Sequence, residues 1–427
     1  MKQARTSVLV ALALICVVSC AKIDDESSAV APEQPARPTV LLPTRSYEEA
    51  LSLARKSIAL VDRGQTRSAT ARSIRSERGQ CVTTPSTRSG AGSDTLMYVF
   101  NFENNDGFSV IAANRAVDPV LAVAEKGNYT YGEPTGVENF DFYMDAMAQS
   151  LAVIKPPKFD TIRTTPKFKT VEVNESRSCD PLIPVRWGQE SPYGDYCSNG
   201  YSGCVATAIA QIMAYYRFPA SITTTYTDAP HAGETIALNW TSMISYPYVY
   251  QVPALMREIG QRVGMRYYPE YENDKRTGSG AASSNVPSCM ISFGYSCASG
   301  LASYEIASIR TNLDETHPVY VRANDISEGG HAWIADGYIY SRIGTEYYEE
   351  ILIDNGLTLY YDYILTNSTV QTTNLVHYNW GWDGSCDGYF APGNGVASGN
   401  GYIFDGLQMI TSIRLPRIDS NLNHDFL

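Results

Sequence analysis

Residues Gly200–Pro219 read GYSGCVATAIAQIMAYYRFP. Gly203 precedes Cys204, and a helical pattern begins there at once. Val205, Ile209, Ile212 and Tyr216 recur at helical spacing and give one apolar face. Pro219 lies just past the end, where it cannot continue a helix. The stretch therefore reads as a buried helix with Cys204 in its first turn. Unpaired backbone N–H groups and the helix dipole at that end stabilise a thiolate and lower its pKa. Gly203 removes a side chain just before the sulfur, so a substrate backbone can approach closely. The competing interpretation is a small core residue, or half of a disulfide with Cys197.

Three further stretches bear on that choice. Ser327-Glu328-Gly329-Gly330-His331-Ala332-Trp333 puts His331 at a glycine-opened strand start, where an apolar strand behind it fixes the ring. A general base beside a thiol needs that rigidity. His377-Tyr378-Asn379-Trp380-Gly381-Trp382 supplies an Asn after the His in chain order, which can hold an imidazole in its working tautomer, and Trp380 can shield that bond from water. Gln189 precedes Cys204 by fifteen residues and can donate its side-chain amide to an oxyanion beside the Cys204 N–H. Taken singly, His331 reads as structural, the Asn-Trp stretch as an aromatic β-corner and Gln189 as a surface residue. The order Gln, Cys, His, Asn, each in Gly- or Trp-rich surroundings, is a joint signal for nucleophilic acyl transfer. No His/Cys cluster has metal-ligand spacing, and no cofactor is called for.

At these residues the chain resembles the streptopain-type cysteine peptidases, a branch of the papain superfamily. GCVATAIAQIM resembles the nucleophile helix, GGHAWIADGY the histidine strand, HYNWGWDGSCDGYF the Asn-Trp motif and LQMITSIRLP the C-terminal strand. SDTLMYVFNFENNDGFSVIAANRAVDPVLAVAEKG is similar to the inhibitory propeptide of these zymogens. The resemblance covers about Ser46 to Pro416. It implies Cys204 as nucleophile, His331 as general base and acid, Gln189 as oxyanion donor, and Asn379 with Trp380 as the groups that orient His331. It also implies substrate contacts at Ser283, Ser284 and Gly330, protein or peptide substrates, and the chain's own propeptide as inhibitor. His331 and Asn379 are 48 residues apart, with a polar insertion around Ile339 to Thr373 that is longer than in streptopain. Two other activities remain open, a catalytically inactive surface binding or inhibitor protein and a transglutaminase-like acyl transferase.

The chain has 427 residues, enough for two or three domains, and its 44% hydrophobic content supports well-formed cores. Thirty Tyr against twelve Phe fit a β-rich, extracytoplasmic protein. The net charge of −12 is uneven: Thr44 to Thr170 holds 16 basic and 14 acidic residues, Ser176 to Leu427 holds 13 and 25. An acidic second half argues against nucleic acid as a partner. Met1 to Cys20 reads as a signal, with Lys2 and Arg5 before an apolar stretch too short to span a bilayer. Val17-Val18-Ser19-Cys20 resembles a bacterial lipobox, which implies lipidation at Cys20, and Lys22 to Glu26 resembles the acidic surface-export tag of Bacteroidetes lipoproteins. Plain secretion is the alternative. No later stretch is apolar enough to cross a membrane, so membrane contact is expected only through that lipid. Seven Cys remain after the signal, an odd number, so at least one thiol is expected free.

The expected order is a signal over 1–20, a Pro-rich tether over 21–43, an inhibitory propeptide over 44–154, an activation linker over 155–184 and a peptidase domain over 185–427. The propeptide reads as small and α+β: a helix over Ser46–Val61 with Ala50, Leu51, Ala54, Ile58 and Ala59 on one face, strands over Leu96–Phe102, Phe108–Ala113 and Pro119–Val123, and a helix over Phe140–Ile154. Five Pro in residues 155–184 mark a composition break and an exposed site for proteolysis. Ile154-Lys155, Ile162-Arg163 and Phe168-Lys169 are the candidate cut sites, the bond after Lys169 being favoured. In the peptidase domain, helices are expected over Ala254–Gly264 and Ser303–Leu313. Strands are expected over Val319–Val321, Trp333–Ile339, Tyr347–Ile353, Leu359–Ile364 and Leu375–Trp380. A helical half before a β-rich half makes an α+β, papain-like architecture with a cleft between the parts.

Overall fold

The computed structural model describes residues 44–61, 73–74, 79–83, 95–154, 168–268, 271–272, 275–276, 278–325, 329–354, 359–392 and 407–416. All of them fall in one compact unit, Leu42–Leu427. The signal with Cys20, the Pro-rich tether, residues 155–167 and the Gly-rich residues 393–406 lie outside the described residues.

Helix α1 (Tyr47–Val61) buries Ala50, Leu51, Ala54, Ser57 and Val61. The stripe keeps helical spacing but passes through Ser57, and Ala59 is exposed. Ser57 is accommodated because its hydroxyl donates to Ala54 O at 2.7 Å and meets Ser109 Oγ at 2.9 Å. Four antiparallel strands follow: β1 (Gln80–Thr83), β2 (Thr95–Asn101), β3 (Phe108–Ala112) and β4 (Val120–Ala124). β3 and β4 are buried at every residue, as their unbroken apolar sequences require. Helix α2 (Glu138–Val153) closes this region.

Within residues 155–184, expected as a linker of little structure, Phe168–Cys179 form strand β5. Twelve consecutive residues, Phe168 to Cys179, are paired with a later strand. Val171 and Val173 are half-buried while Glu172 and Asn174 are exposed, which is strand alternation with little hydrophobic contrast. The favoured cut after Lys169 falls inside this ladder, with Lys169 opposite Tyr348 and Thr170 opposite Tyr347.

The second half opens with helices α3 (Cys204–Tyr216), α4 (Trp240–Ser245), α5 (Gln251–Val263), α6 (Val286–Ser292) and α7 (Ile306–Asp314). Short strand pairs lie among them: β6 (Ser221–Thr223) with β7 (Thr235–Ala237), β8 (Arg266–Tyr267) with β11 (Ser279–Gly280), and β9 (Tyr271–Glu272) with β10 (Lys275–Arg276). β12 (Ala302–Ser303), β13 (Val319–Asp325), β14 (Gly329–Asp354), β15 (Leu359–Ser368), β16 (Gln371–Asn379), β17 (Gly388–Phe390) and β18 (Gln408–Ile410) complete the chain. Trp333–Ile339 and Tyr347–Ile353, expected as two strands, are parts of the single 26-residue β14. One edge of β14 meets β13 and then β5; the other meets β16 and then β15.

The main sheet runs β1-β2-β3-β4-β17-β16-β14-β13-β18-β12, so residues 44–154 and the second half share one sheet. The joint is β4 against β17, with Ala122, Val123 and Ala124 opposite Phe390, Tyr389 and Gly388. A Cβ at Gly388 would lie 2.2 Å from Val123 O, so only glycine lets the two strands close there. The two faces of the sheet carry separate cores. Trp333, Ala335, Tyr378, Trp380 and Phe390 pack with Phe100, Phe108, Phe140 and Tyr143 of the N-terminal region. Ala332, Ile334, Tyr320 and Ile410 pack with α3, α5 and α6. The architecture is α+β, with a helical half before a β-rich half.

Pairing of β5 has a direct consequence for proteolysis. In the full chain carrying Cys204→Ala, trypsin is expected to cut after Lys169 and Arg177 far more slowly than in a free peptide of residues 168–179. Mass spectrometry of the early fragments checks this, and equal rates would show that β5 is not held in the sheet.

Candidate active site

Gly203 caps α3 with φ 84°, a left-handed value that costs any other residue strain, and Cys204 follows as the first helical residue. Cys204 is half-buried and its thiol is free, as are the other six Cys after the signal, Cys197 among them. The disulfide alternative is thereby removed. The thiol pKa is pushed up to about 11. Burial is the main cause and the Glu138 carboxylate of α2 adds to it, while backbone N–H groups of Ala332, Val205 and Cys204 itself pull the other way. The helix terminus acts as expected, but burial outweighs it.

The Ala332 N–H at the sulfur brings the His331 strand to Cys204. His331 is half-buried on β14, opposite Ala323 of β13. The Phe142 ring of α2 lies 5.9 Å from its imidazole, centroid to centroid. Beside Glu138, Asn139 is 1% exposed, and its amide donates to Ala332 O at 2.8 Å and Trp380 O at 3.2 Å. Three neighbouring side chains of one helix thus reach Cys204, His331 and the strand between them.

Gln189 lies in a buried loop tied to α3 by a polar set. Trp187 N donates to Gln211 Oε1 at 3.0 Å, Thr207 Oγ1 to Gly188 O at 3.3 Å, and Ser202 N to Gln189 O at 2.9 Å. Gln211 also donates through Nε2 to Asn379 Oδ1 at 2.9 Å. Asn379 in turn donates to Val185 O at 3.0 Å and accepts from Gly381 N at 3.1 Å. The amide of Asn379 is therefore engaged with Gln211, Val185 and Gly381, where a bond to His331 had been expected. Its strand still registers the site: Asn379 pairs with Ile334, three residues after His331. Trp380 is fully buried, donates Nε1 to Cys386 O at 3.0 Å, and lies 5.2 Å from the Trp333 ring.

Of the expected substrate contacts, Ser283 meets Tyr320 OH at 2.7 Å, and Tyr320 lies close enough to Cys204 for their charges to interact. Gly330 precedes His331 and is exposed, as is Ser284. Ser202, Thr207, Gln211 and the α2 trio were not anticipated. Gln211 left one signal: a polar residue in the apolar run from Val205 to Met213, on the face of Cys204 and Thr207 at i+3 and i+7.

Residues 187–390 match the Peptidase C10 family and residues 42–151 match the Spi protease inhibitor family. Streptopain of Streptococcus pyogenes is 24% identical over 367 residues, covering 73% of this chain and 80% of that protein. The thiol protease/hemagglutinin PrtT of Porphyromonas gingivalis is 25% identical over 354 residues, covering 72% of this chain and 36% of that protein. Among solved structures, a fragment of prointerpain A from Prevotella intermedia aligns with TM-score 0.48 at 21% identity, over 80% of this chain and 100% of that one. The chain is a streptopain-type cysteine peptidase with a propeptide, residues 187–390 being its Peptidase C10 domain and residues 42–151 its Spi-type inhibitor domain.

Two measurements follow from the geometry. Gln211→Ala is expected to lower kcat about 10- to 100-fold with little change in KM, because two loops lose their tie to α3. Gln211→Glu keeps the acceptor for Trp187 N and should fall between wild type and Gln211→Ala. In the uncut chain, alkylation of Cys204 by iodoacetamide should rise with a midpoint near pH 11. Glu138→Gln should lower that midpoint, since a negative charge beside the thiolate is removed; an unmoved midpoint would take Glu138 out of the site.

Proposed function

We propose that the chain is the zymogen of an extracytoplasmic cysteine endopeptidase, with Cys204 as nucleophile, His331 as base and acid, and Gln189 as oxyanion donor. One observation carries the reading: Cys204 begins a buried helix with its sulfur at the N–H of Ala332, next to His331, and α2 of the propeptide covers both. The Cys204 thiol gives its proton to His331, and the thiolate attacks a peptide carbonyl carbon. The oxyanion accepts hydrogen bonds from the Gln189 amide and the Cys204 N–H. His331 then protonates the leaving amine, leaving a thioester. Water gives a proton to His331 and attacks the thioester; the acid product leaves and the thiol is restored.

Asn379 and Trp380 orient His331 through the strand rather than by a bond to the ring. Asn379 holds the register at Ile334, and Trp380 packs on Trp333. Ser283, Ser284 and Gly330 line the substrate side, and the substrates are proteins or peptides. Lipid on Cys20 would anchor the enzyme outside the cytoplasm.

Inhibition in the uncut chain has two parts. Glu138 and burial keep the thiol protonated, and Phe142 and Asn139 occupy the space beside His331 and the strand after it. Removing α2 relieves both. The cut belongs before β5, and among the candidate bonds the one after Arg163 fits best, since Pro156 follows Lys155 and Lys169 is paired.

A time course of purified precursor on a gel tests the reading. Wild type is expected to shorten itself and Cys204→Ala to remain intact; N-terminal sequencing should place the new start at Thr164. Cys204→Ala and His331→Ala should each abolish peptide hydrolysis, and Gln189→Ala should cost about 10²–10³ in kcat. Near-normal hydrolysis by Cys204→Ala would refute the nucleophile assignment.

A further inference from the structure

A second polar cluster lies away from Cys204, where β4 joins β17. His377 on β16 stands opposite Gly337 of β14 and Tyr389 of β17 and is 4% exposed. Its Nδ1 meets Asp336 Oδ1 at 2.6 Å. Its Nε2 makes no hydrogen bond and lies 3.5 Å from Glu125 Oε1. Glu125 is the residue after β4, and its N–H donates to Asp387 O at 2.7 Å, which extends the β4–β17 ladder by one step. The other Glu125 oxygen pairs with Arg186, just before the Gln189 loop. Asp387, 1% exposed, donates nothing to this set but accepts from Trp380 N at 2.8 Å. Tyr389 packs edge-on to the imidazole at 5.0 Å. A buried imidazole and a guanidinium from the peptidase region thus converge on one carboxylate from the propeptide.

We propose that His377 and Arg186 form a carboxylate-binding site at the end of β17 that reads an acidic side chain on an added strand, with Glu125 as its occupant in the uncut chain. The ligand class follows from the seat. In the strand added to β17, Ala122 lies opposite Phe390 and Ala124 opposite Gly388, which leaves room for the close backbone, and the carboxylate comes at the next position. The backbone ladder supplies attachment that any sequence could use, and the cation pair supplies selectivity for small-x-small-acid. The site lies six residues along β14 from His331, on the order of 20 Å at strand rise. It therefore holds the propeptide at a point separate from the contacts of α2 with Cys204 and His331.

The pair is coupled in sign. Burial alone would raise the Glu125 pKa, but His377 and Arg186 outweigh it and hold the carboxyl at about 2, against an ordinary 4.5. Burial alone would lower His377, but Asp336 and then Glu125 outweigh it and raise the imidazole to about 10, against 6.5. Burial also raises Asp387, to about 7, which keeps part of it neutral. Glu125 therefore contributes to docking above about pH 4.5, and that contribution fades as pH falls toward 2. Protonated His377 favours the docked carboxylate, and that contribution fades as pH rises through about 10, where the imidazole loses its charge.

This site rests on residues 44–154 being a releasable propeptide only for its consequence, not for its existence. The test uses the full chain carrying Cys204→Ala, so that no self-cleavage intervenes. Hydrogen exchange is followed at the backbone amides of Glu125 and Tyr389, and the His377 ring is titrated by NMR. The isosteric Glu125→Gln is expected to speed exchange at the β4–β17 joint about tenfold or more and to lower the His377 pKa. Arg186→Gln should also speed exchange there, and should add little once Glu125→Gln is present. Unchanged exchange and an unchanged His377 titration in Glu125→Gln would overturn the proposal. So would equal, additive effects of the two substitutions. If Glu125→Gln loosens the whole molecule, α5 amides will exchange too, and Arg186→Gln, whose side chain is half-exposed, then decides by whether its effect stays at the joint. No peptide bond is cut in this assay, so its failure leaves the peptidase reading intact, and an inactive wild type would leave this result standing.

Discussion

A strand that is apolar on both faces has to be covered twice, and β14 is such a strand. Ala332 and Ile334 face α3 and its neighbours, while Trp333 and Ala335 face the opposite way. On the second face lie also Tyr378, Trp380 and Phe390, each essentially fully buried. Burying one such ring is worth about 1.5–3 kcal/mol, so leaving this face wet would be costly for any soluble form. The propeptide solves that problem in the uncut chain: α2 inserts Phe140 and Tyr143 among those rings, and β4 extends the sheet. The propeptide and the peptidase region thus share one apolar surface.

The reaction centre inherits its geometry from that arrangement. Because Cys204 heads a helix packed on one face of β14, and His331 opens β14 itself, helix–sheet packing sets their separation. Gln211 then makes the loops obey the helix. Its side chain is fully buried, and it spends its acceptor on Trp187 N and its donor on Asn379. A buried amide that satisfied only one partner would carry a desolvation cost. Satisfying both fixes the Gln189 loop and the Asn379 turn to a single side chain, two turns along from Cys204.

Charge is used differently at the two ends of the propeptide contact. Near Cys204, Glu138 brings a negative charge that disfavours the thiolate, so this contact opposes ionisation of the thiol. At the β4–β17 joint, Glu125 meets cations, and the interaction favours contact. Buried ion pairs contribute little net stability against well-packed apolar groups, but breaking one side of such a pair leaves an uncompensated charge. That asymmetry favours one register of β4 on β17 over its alternatives.

The local chemistry was legible in one dimension. Cys204 in the first turn of an apolar helix, His331 at a glycine-opened strand and the apolar runs of β3 and β4 all follow from neighbouring residues, and each stands where the spacing put it. β5 was not legible, because a strand whose residues alternate Val with Glu and Asn has weak periodicity, and its stability comes from a partner far along the chain, Phe168 against Glu349, 181 residues away. The partners of Asn379 were equally hidden: an amide can bond whatever comes within 3 Å, and chain order does not say which. The thiol's raised pKa went against the helix-terminus expectation because burial is a property of the folded whole. Sequence by itself determined which residues could do the chemistry and which segments would be helix or buried strand. Tertiary structure alone decided which polar groups meet, which charges share a buried space, and therefore that the same helix start holds its thiol protonated while the propeptide lies over it.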